Sequence, residues 1–285
     1  MEKTVIEAKG ELSGDMKPLP KKKKSPLRII GNILLVFILA CGLGLSGFLI
    51  SLKIIYDGTY YVAGMSMYPT LNANGKCYSN GTDNDFFFGE QRGSLTFFTS
   101  EDGDLVDYGY SDGKEATLKS LKRFDIVITY YSSDYDERTN TFTGSPKVKR
   151  IIGLPGERLT LTPDDSPMGQ LTINGEVVEQ PGNTFEHYNA PLKKAGLEVE
   201  YPASNDPSNT AIWPRGEVVL GSDEYYICGD NRFGSFSSDS RQRGPVPFHC
   251  IQAQVKLRIG LARIVDGTCK YEMSQWRMPW DWESL

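Results

Sequence analysis

The chain has 285 residues, enough for a membrane anchor plus one or two packed domains. Its net charge of −5 conceals an asymmetry: residues 1–28 carry eight Lys/Arg and four Asp/Glu (+4), and the part after residue 52 carries 23 basic and 32 acidic residues (−9). That excludes a basic nucleic-acid footprint on the main body, and two histidines in the whole chain, His187 and His249, with no C-x-x-C spacing, speak against a zinc site.

Taken in chain order, residues 1–28 read as a cytoplasmic tail, polar and disordered over its first twenty residues. Residues 29–52 form an uncharged run of 24. At about 1.5 Å per residue this exceeds the ~30 Å hydrocarbon layer. It is longer than the apolar core of a cleavable secretory signal and lacks a clean small-residue cleavage site, so it reads as a retained transmembrane anchor. Lys21, Lys22, Lys23, Lys24 and Arg28 precede it and Lys53 alone follows closely, which places the N-terminus in the cytoplasm and residues 53–285 outside. Gly42, Gly44 and Gly47 are ordinary for such a span.

Beyond the anchor, 16 prolines, 29 glycines and many Thr, Tyr, Val and Ile residues predict a mainly β domain. Residues 60–71 look extended and end in a Pro-Thr turn signal, and residues 72–121, rich in Gly, Asn, Asp and aromatics, read as an insertion with strand-like 94–99. Strands are expected at 125–131 and 147–152, separated by a polar hairpin loop over 132–145. After a turn at 153–157, residues 158–162 and 171–178 with Asn174-Gly175 suggest a hairpin. Residues 181–215 are Pro- and Asn-rich with little periodicity and are expected to be loop, within a second insertion spanning about 157–224. Strands return at 218–220, 225–228 and 251–259, and a tail bears Trp276, Trp280 and Trp282. Cys41 lies in the anchor. The exported Cys77, Cys228, Cys250 and Cys269 allow three pairings, among which the sequence does not choose.

Three segments hold more polar chemistry than a plain β domain needs: Gly64-Met65-Ser66-Met67-Tyr68-Pro69-Thr70-Leu71, Lys147-Val148-Lys149-Arg150, and Gly229-Asp230-Asn231-Arg232 running on to Ser237-Ser238-Asp239-Ser240-Arg241. A serine hydroxyl needs a base to become a nucleophile. Neither histidine sits in a local triad motif. A lysine serves if desolvation keeps its amine neutral, and strand alternation sets Lys149 in an apolar wall with Arg150 on the opposite face.

These segments, with Arg123-Phe124-Asp125-Ile126-Val127, Gly153-Leu154-Pro155-Gly156-Glu157 and Gly244, occur in the order and grouping that resembles the bacterial type I signal peptidases. The resemblance covers about a third of the residues after the anchor and leaves the insertions unexplained. It implies Ser66 as nucleophile, Lys149 as general base, and the Ser66 backbone N–H as oxyanion donor, with Gly64 standing where some members add a hydroxyl. It implies Ser237, or else Ser238, as the serine that hydrogen-bonds the lysine, because six residues separate Arg232 from Asp239 where the family usually has four. Asp230 with Arg150, and Asp239 with Arg241, become supporting ion pairs. Phe124 stands where the family commonly has glycine.

Val62, Met67, Leu71, Ile128 and Val148 match positions lining pockets for small side chains, or else they are ordinary core. An extended substrate is expected to add as a strand near residues 60–63 and 147–149, and the Met65-Ser66-Met67-Tyr68 neighbourhood to touch lipid.

The expected architecture is an antiparallel β-sheet catalytic domain with a second β-rich cap or insertion region, behind one transmembrane helix. The expected function is removal of signal peptides from exported preproteins by a Ser/Lys dyad, cutting after small residues. No cofactor, metal or nucleic acid is expected, and the partners are signal peptides, membrane lipid and secretion machinery. An inactive peptidase-like assembly or chaperone factor, a self-cleaving Ser-Lys repressor and an unrelated surface binding module are the rival readings. The repressor should carry a DNA-binding region and no anchor, the reverse of what this chain has.

Overall fold

The structure, a computed structural model, describes residues 26–55, 58–62, 64–71, 105–112, 121–194, 200–234, 237–265, 268–276 and 281–285. The expected cytoplasmic tail, most of the 72–121 insertion and Cys77 lie outside these residues.

Helix α1, Pro26–Ile55, begins with proline, whose fixed φ and missing N–H suit a first helical turn. Its apolar stretch Pro26–Ser51, 26 residues, is long and apolar enough to cross a membrane. At about 1.5 Å per residue it rises roughly 39 Å, against ~30 Å of hydrocarbon. Large side chains such as Leu34, Phe37 and Leu45 are exposed along it. A helix this long and apolar fits a single-pass anchor.

The remainder is mainly antiparallel sheet. In chain order the strands are β1 Gly58–Tyr61, β2 Leu105–Asp112, β3 Ile126–Thr129, β4 Tyr135–Asp136, β5 Thr141–Phe142, β6 Lys147–Gly153, β7 Arg158–Thr162, β8 Gln170–Ile173 and β9 Glu176–Val178. There follow helix α2 Phe185–Lys194, β10 Val218–Val219, β11 Glu224–Cys228, the short helix α3 Ser240–Arg243, β12 Val246–Pro247, β13 Ile251–Val265, β14 Thr268–Trp276 and β15 Glu283–Ser284. Among the described residues the main sheet runs β1-β2-β13-β3-β6-β11-β12, with β14 and β15 also on β13. A second sheet runs β10-β7-β8-β9 and shares an apolar core with the main one, where Ile152, Tyr226 and Cys228 meet Leu159, Leu161, Leu171 and Ile173. This is the second β-rich region expected from sequence.

The hairpin expected at Asn174-Gly175 is present: with φ of 51° and 89° the pair joins β8 to β9, and β7 pairs with the other side of β8. Two local differences have clear causes. Part of the expected 181–215 loop is helix: Thr184 Oγ1 accepts from the His187 N–H at 3.1 Å as a cap, and Tyr188, Asn189 and Leu192 are buried along one face. The tail with Trp276 continues the sheet, because β13 extends to Val265 and pairs back with β14.

Candidate active site

Ser66 sits on a tight turn, residues 64–71, closed by Tyr68 N–H to Met65 O at 3.1 Å and Leu71 N–H to Met67 O at 2.9 Å. Asn231 clamps it from outside, donating its backbone N–H to Ser66 O at 3.0 Å and its Nδ2 to Met65 O at 3.1 Å. Gly229 passes so near that a Cβ there would collide with Ser66 O and Ser237 Oγ, so only glycine fits. Met65, Met67 and Tyr68 are at most 4% exposed. The expectation that this neighbourhood touches lipid is therefore corrected: its apolar side chains are what fastens the turn to the core.

Lys149 projects from β6, where it is the cross-strand partner of Val127 on β3. It is 3% exposed, and its Nζ lies 2.8 Å from Ser66 Oγ and 3.0 Å from Val148 O. Burial pulls its pKa down to about 8; the Asp239 carboxylate works against that, and the Lys147 ammonium adds to it. An amine so placed is largely neutral slightly above pH 8 and is within proton-transfer reach of the hydroxyl.

Two buried carboxylates on the Gly229-Asp230 and 237–241 segments are each held by an arginine. Asp230 takes a bidentate pair from Arg150, at 2.8 Å from Nε and 2.7 Å from Nη2, while Arg150 Nη1 donates to Phe124 O at 2.8 Å. Burial alone would raise the Asp230 pKa, but Arg150 and the Thr70 hydroxyl hold it low. Asp239 caps α3 and accepts from Arg241 Nε at 2.9 Å, Arg241 Nη2 at 3.1 Å and Gly229 N–H at 3.0 Å. Against the cost of its burial, these contacts bring it to about 2. With its charge thus engaged, Asp239 raises the lysine pKa less than a free carboxylate would.

Ser237 is fully buried beside the site, but its hydroxyl donates to Asp239 Oδ2 at 2.5 Å. Ser238 accepts at its carbonyl from Tyr131 and at Oγ from Arg243 Nε at 3.2 Å. Among the described residues the hydrogen bonds of Lys149 Nζ run to Ser66 Oγ and Val148 O. The Ser237 hydroxyl proton goes to the charged acceptor, Asp239.

Phe124, in the glycine position of the resemblance, has a φ of 73°. The backbone there keeps the left-handed geometry that glycine suits, and Phe124 holds it with its N–H on Ile151 O at 2.7 Å and its carbonyl on Arg150.

Sequence reasoning gave no role to a buried tyrosine layer under the turn. Tyr68 OH donates to Tyr188 O at 3.0 Å, Tyr188 OH to Asp230 O at 2.6 Å, and Tyr201 OH to Asn231 Oδ1 at 2.5 Å. Phe233 N–H donates in turn to Tyr201 OH at 3.2 Å. The second insertion thus reaches the clamp on Ser66. The spacing of Phe185, Tyr188, Asn189 and Leu192 was the available signal for its helix.

Val62, Met67 and Leu71 gather with Ile128 and Val148 in one apolar cluster, the last two being direct cross-strand partners and part-exposed. His187 lies against Gly182, and His249 packs on Tyr135 at 4.6 Å between ring centroids. Neither hydrogen-bonds Ser66 among the described residues. Cys228 and Cys250 carry free thiols buried in two different cores. Among the described residues no group of His, Cys, Asp and Glu is arranged to hold a metal.

A family model described as signal peptidase, peptidase S26, matches residues 30–260. Signal peptidase I V of Bacillus subtilis (strain 168) is 33% identical over 130 residues, 45% of this chain and 61% of that protein. Signal peptidase I of Bacillus amyloliquefaciens is 32% identical over 131 residues, 45% of this chain and 60% of that one. The chain thus spans about three-fifths of the length of these curated relatives. A crystal structure of a signal peptidase I from Enterococcus faecalis V583 is 24% identical, covers 47% of this chain and 95% of its own, and superposes with a TM-score of 0.29.

Proposed function

Because the chain belongs to the signal peptidase family, peptidase S26, whose model covers residues 30–260, we propose that it is a membrane-anchored serine endopeptidase that removes signal peptides from exported preproteins. The reading rests above all on the 2.8 Å approach of Lys149 Nζ to Ser66 Oγ in a site where burial lowers the amine's pKa to about 8.

In this mechanism Lys149 takes the Ser66 proton as Oγ attacks the scissile carbonyl, and returns it to the leaving amine. The Ser66 N–H donates to the oxyanion, and Gly64 adds no hydroxyl. Arg150, Asp230, Asp239, Arg241 and Ser237 hold the lysine strand and the Gly229-Asp230 turn in register without touching the reacting atoms. Lys149 works as a base because burial disfavours its charged form and Asp239, the carboxylate that opposes this, is paired with Arg241 rather than with the amine.

Substrate adds as an extended strand along residues 147–149. Among the described residues β11 begins to pair with β6 only at Arg150, so the edge of 147–149 facing away from β3 is open to a strand partner. The cluster of Val62, Met67, Leu71, Ile128 and Val148 receives small side chains before the cut. In this reading α1 is the anchor, its N-terminus is cytoplasmic, and residues 53–285 lie on the outer face, where preproteins emerge from the secretion machinery.

The test is cleavage of a preprotein with a small-x-small site by the purified full chain in detergent, with the product N-terminus sequenced. Release of the mature protein at that site by the wild type, but not by Ser66→Ala or Lys149→Met, is expected. Cleavage that survives either substitution overturns the dyad.

A further inference from the structure

The apolar cluster assigned to substrate includes Leu285, which lies outside every motif and far from the others in sequence. Its Tyr60, Val62, Met67, Leu71, Ile126 and Val255 are all at most 5% exposed, so an incoming side chain cannot meet them first. The part-exposed members are Ile128, Val148 and Leu285. Ile128 and Val148 face each other across β3 and β6, and Leu285 arrives from the far end of the sequence.

The segment that ends in Leu285 is held by several contacts, and Leu285 itself by its backbone and its packing on the cluster. Its N–H donates to Lys256 O at 3.0 Å, just beyond the pairing of Ser284 with Leu257 and Glu283 with Arg258. Glu283 and Arg258 form an ion pair, and Arg258 Nη1 donates to Thr70 O at 3.1 Å. The strap is therefore tied both to β13 and to the turn that carries Ser66 four residues earlier. A branched side chain held this firmly leaves less room than a flexible one, since closely packed apolar groups yield little to an extra methylene.

We infer that Leu285 is a specificity-determining residue: it forms one wall of the mouth of the apolar recess and limits the size of the substrate side chain admitted there. The inference rests on the proposed peptidase reading and adds to it a residue that the motifs do not contain. Trimming Leu285 enlarges the mouth, and a larger ring narrows it.

The experiment compares wild type, Leu285→Ala and Leu285→Trp in detergent on one preprotein carrying Ala, Val or Leu at the first or the third position before the cut. The readout is the ratio of kcat/KM for Val or Leu to that for Ala. One methylene in an apolar pocket is worth about 10–200-fold, so Leu285→Ala is expected to raise the ratio by about tenfold or more at one of the two positions, and Leu285→Trp to lower it. Leu285 acting only as packing would change kcat/KM for all substrates by one common factor. Ratios unchanged within about twofold in both variants, with thermal unfolding showing both folded, overturn the inference alone. A wild type that does not cleave the Ala substrate overturns the peptidase reading and the inference with it.

Discussion

Replacing Asp230 by alanine leaves the Arg150 guanidinium buried without a carboxylate. The pair is enclosed, with side chains 9% and 2% exposed, and both oxygens of Asp230 are engaged at 2.8 and 2.7 Å. Breaking such a pair costs about 3–5 kcal/mol, most of it the penalty of the stranded charge. Because Arg150 keeps its bond to Phe124 O, the expected loss lies toward the lower end of that range. For a domain of this size each kcal/mol moves the midpoint by about 2–4 °C, so Asp230→Ala should unfold roughly 6–15 °C earlier. The double variant Arg150→Met/Asp230→Leu removes both charges and should recover most of that loss, since buried pairs are often replaceable by apolar groups of similar volume. Thermal unfolding of the full chain followed by circular dichroism measures all three proteins. If Asp230→Ala lies within about 1 kcal/mol of wild type, or the double variant is no better than the single one, the stranded-charge argument is wrong.

Three further outcomes are expected. Phe124→Gly should be more stable than Phe124→Ala by about 1–2 kcal/mol, because both lose the ring but only glycine relaxes the φ of 73°; equal midpoints would contradict this. The folded-state pKa of Lys149 is depressed below its unfolded value of 10.5 to about 8, so between those values the unfolded chain binds the extra proton and stability rises with pH. Lys149→Met should therefore flatten the slope between pH 8 and 10.5, and a slope unchanged in urea titrations would refute it. Tyr201→Phe leaves Asn231 Oδ1 and Phe233 N–H without their hydroxyl partner; through the clamp on Ser66 it should lower kcat by about 10- to 100-fold with KM little changed, and a change confined to KM would count against that route.

The parts of this molecule that were legible in sequence are those where chemistry is local. The long helix α1 needs only a run of apolar residues, and the β6 alternation put Lys149 and Arg150 on opposite faces, one toward Ser66 and the other toward Asp230. Phe124 could be flagged as standing in a glycine position, but its positive φ is set by contacts to Ile151 and Arg150 that only the fold brings near. The bond from Ser237 to Asp239 joins residues only two apart, yet sequence spacing alone did not separate Ser237 from Ser238; the fold does, burying Ser237 beside the site and turning Ser238 toward Arg243. The tyrosine layer was missed since Tyr188 and Tyr201 reach Asp230 and Asn231 across 42 and 30 residues. Helix α2 was within reach: its buried face repeats at helical spacing behind a Thr184 cap, and Pro191 and the Asn-rich surroundings obscured it.

The central claim is that Ser66 attacks with neutral Lys149 as its base, and the pH dependence of kcat/KM for preprotein cleavage between pH 6 and 10 tests it most directly. The wild type should climb tenfold per pH unit on the acid side and level off near pH 8, where Lys149 has lost its proton, while Lys149→Met falls by about four orders of magnitude or more. A profile flat across that range, or an acid limb that persists undiminished in Lys149→Met, would contradict the account.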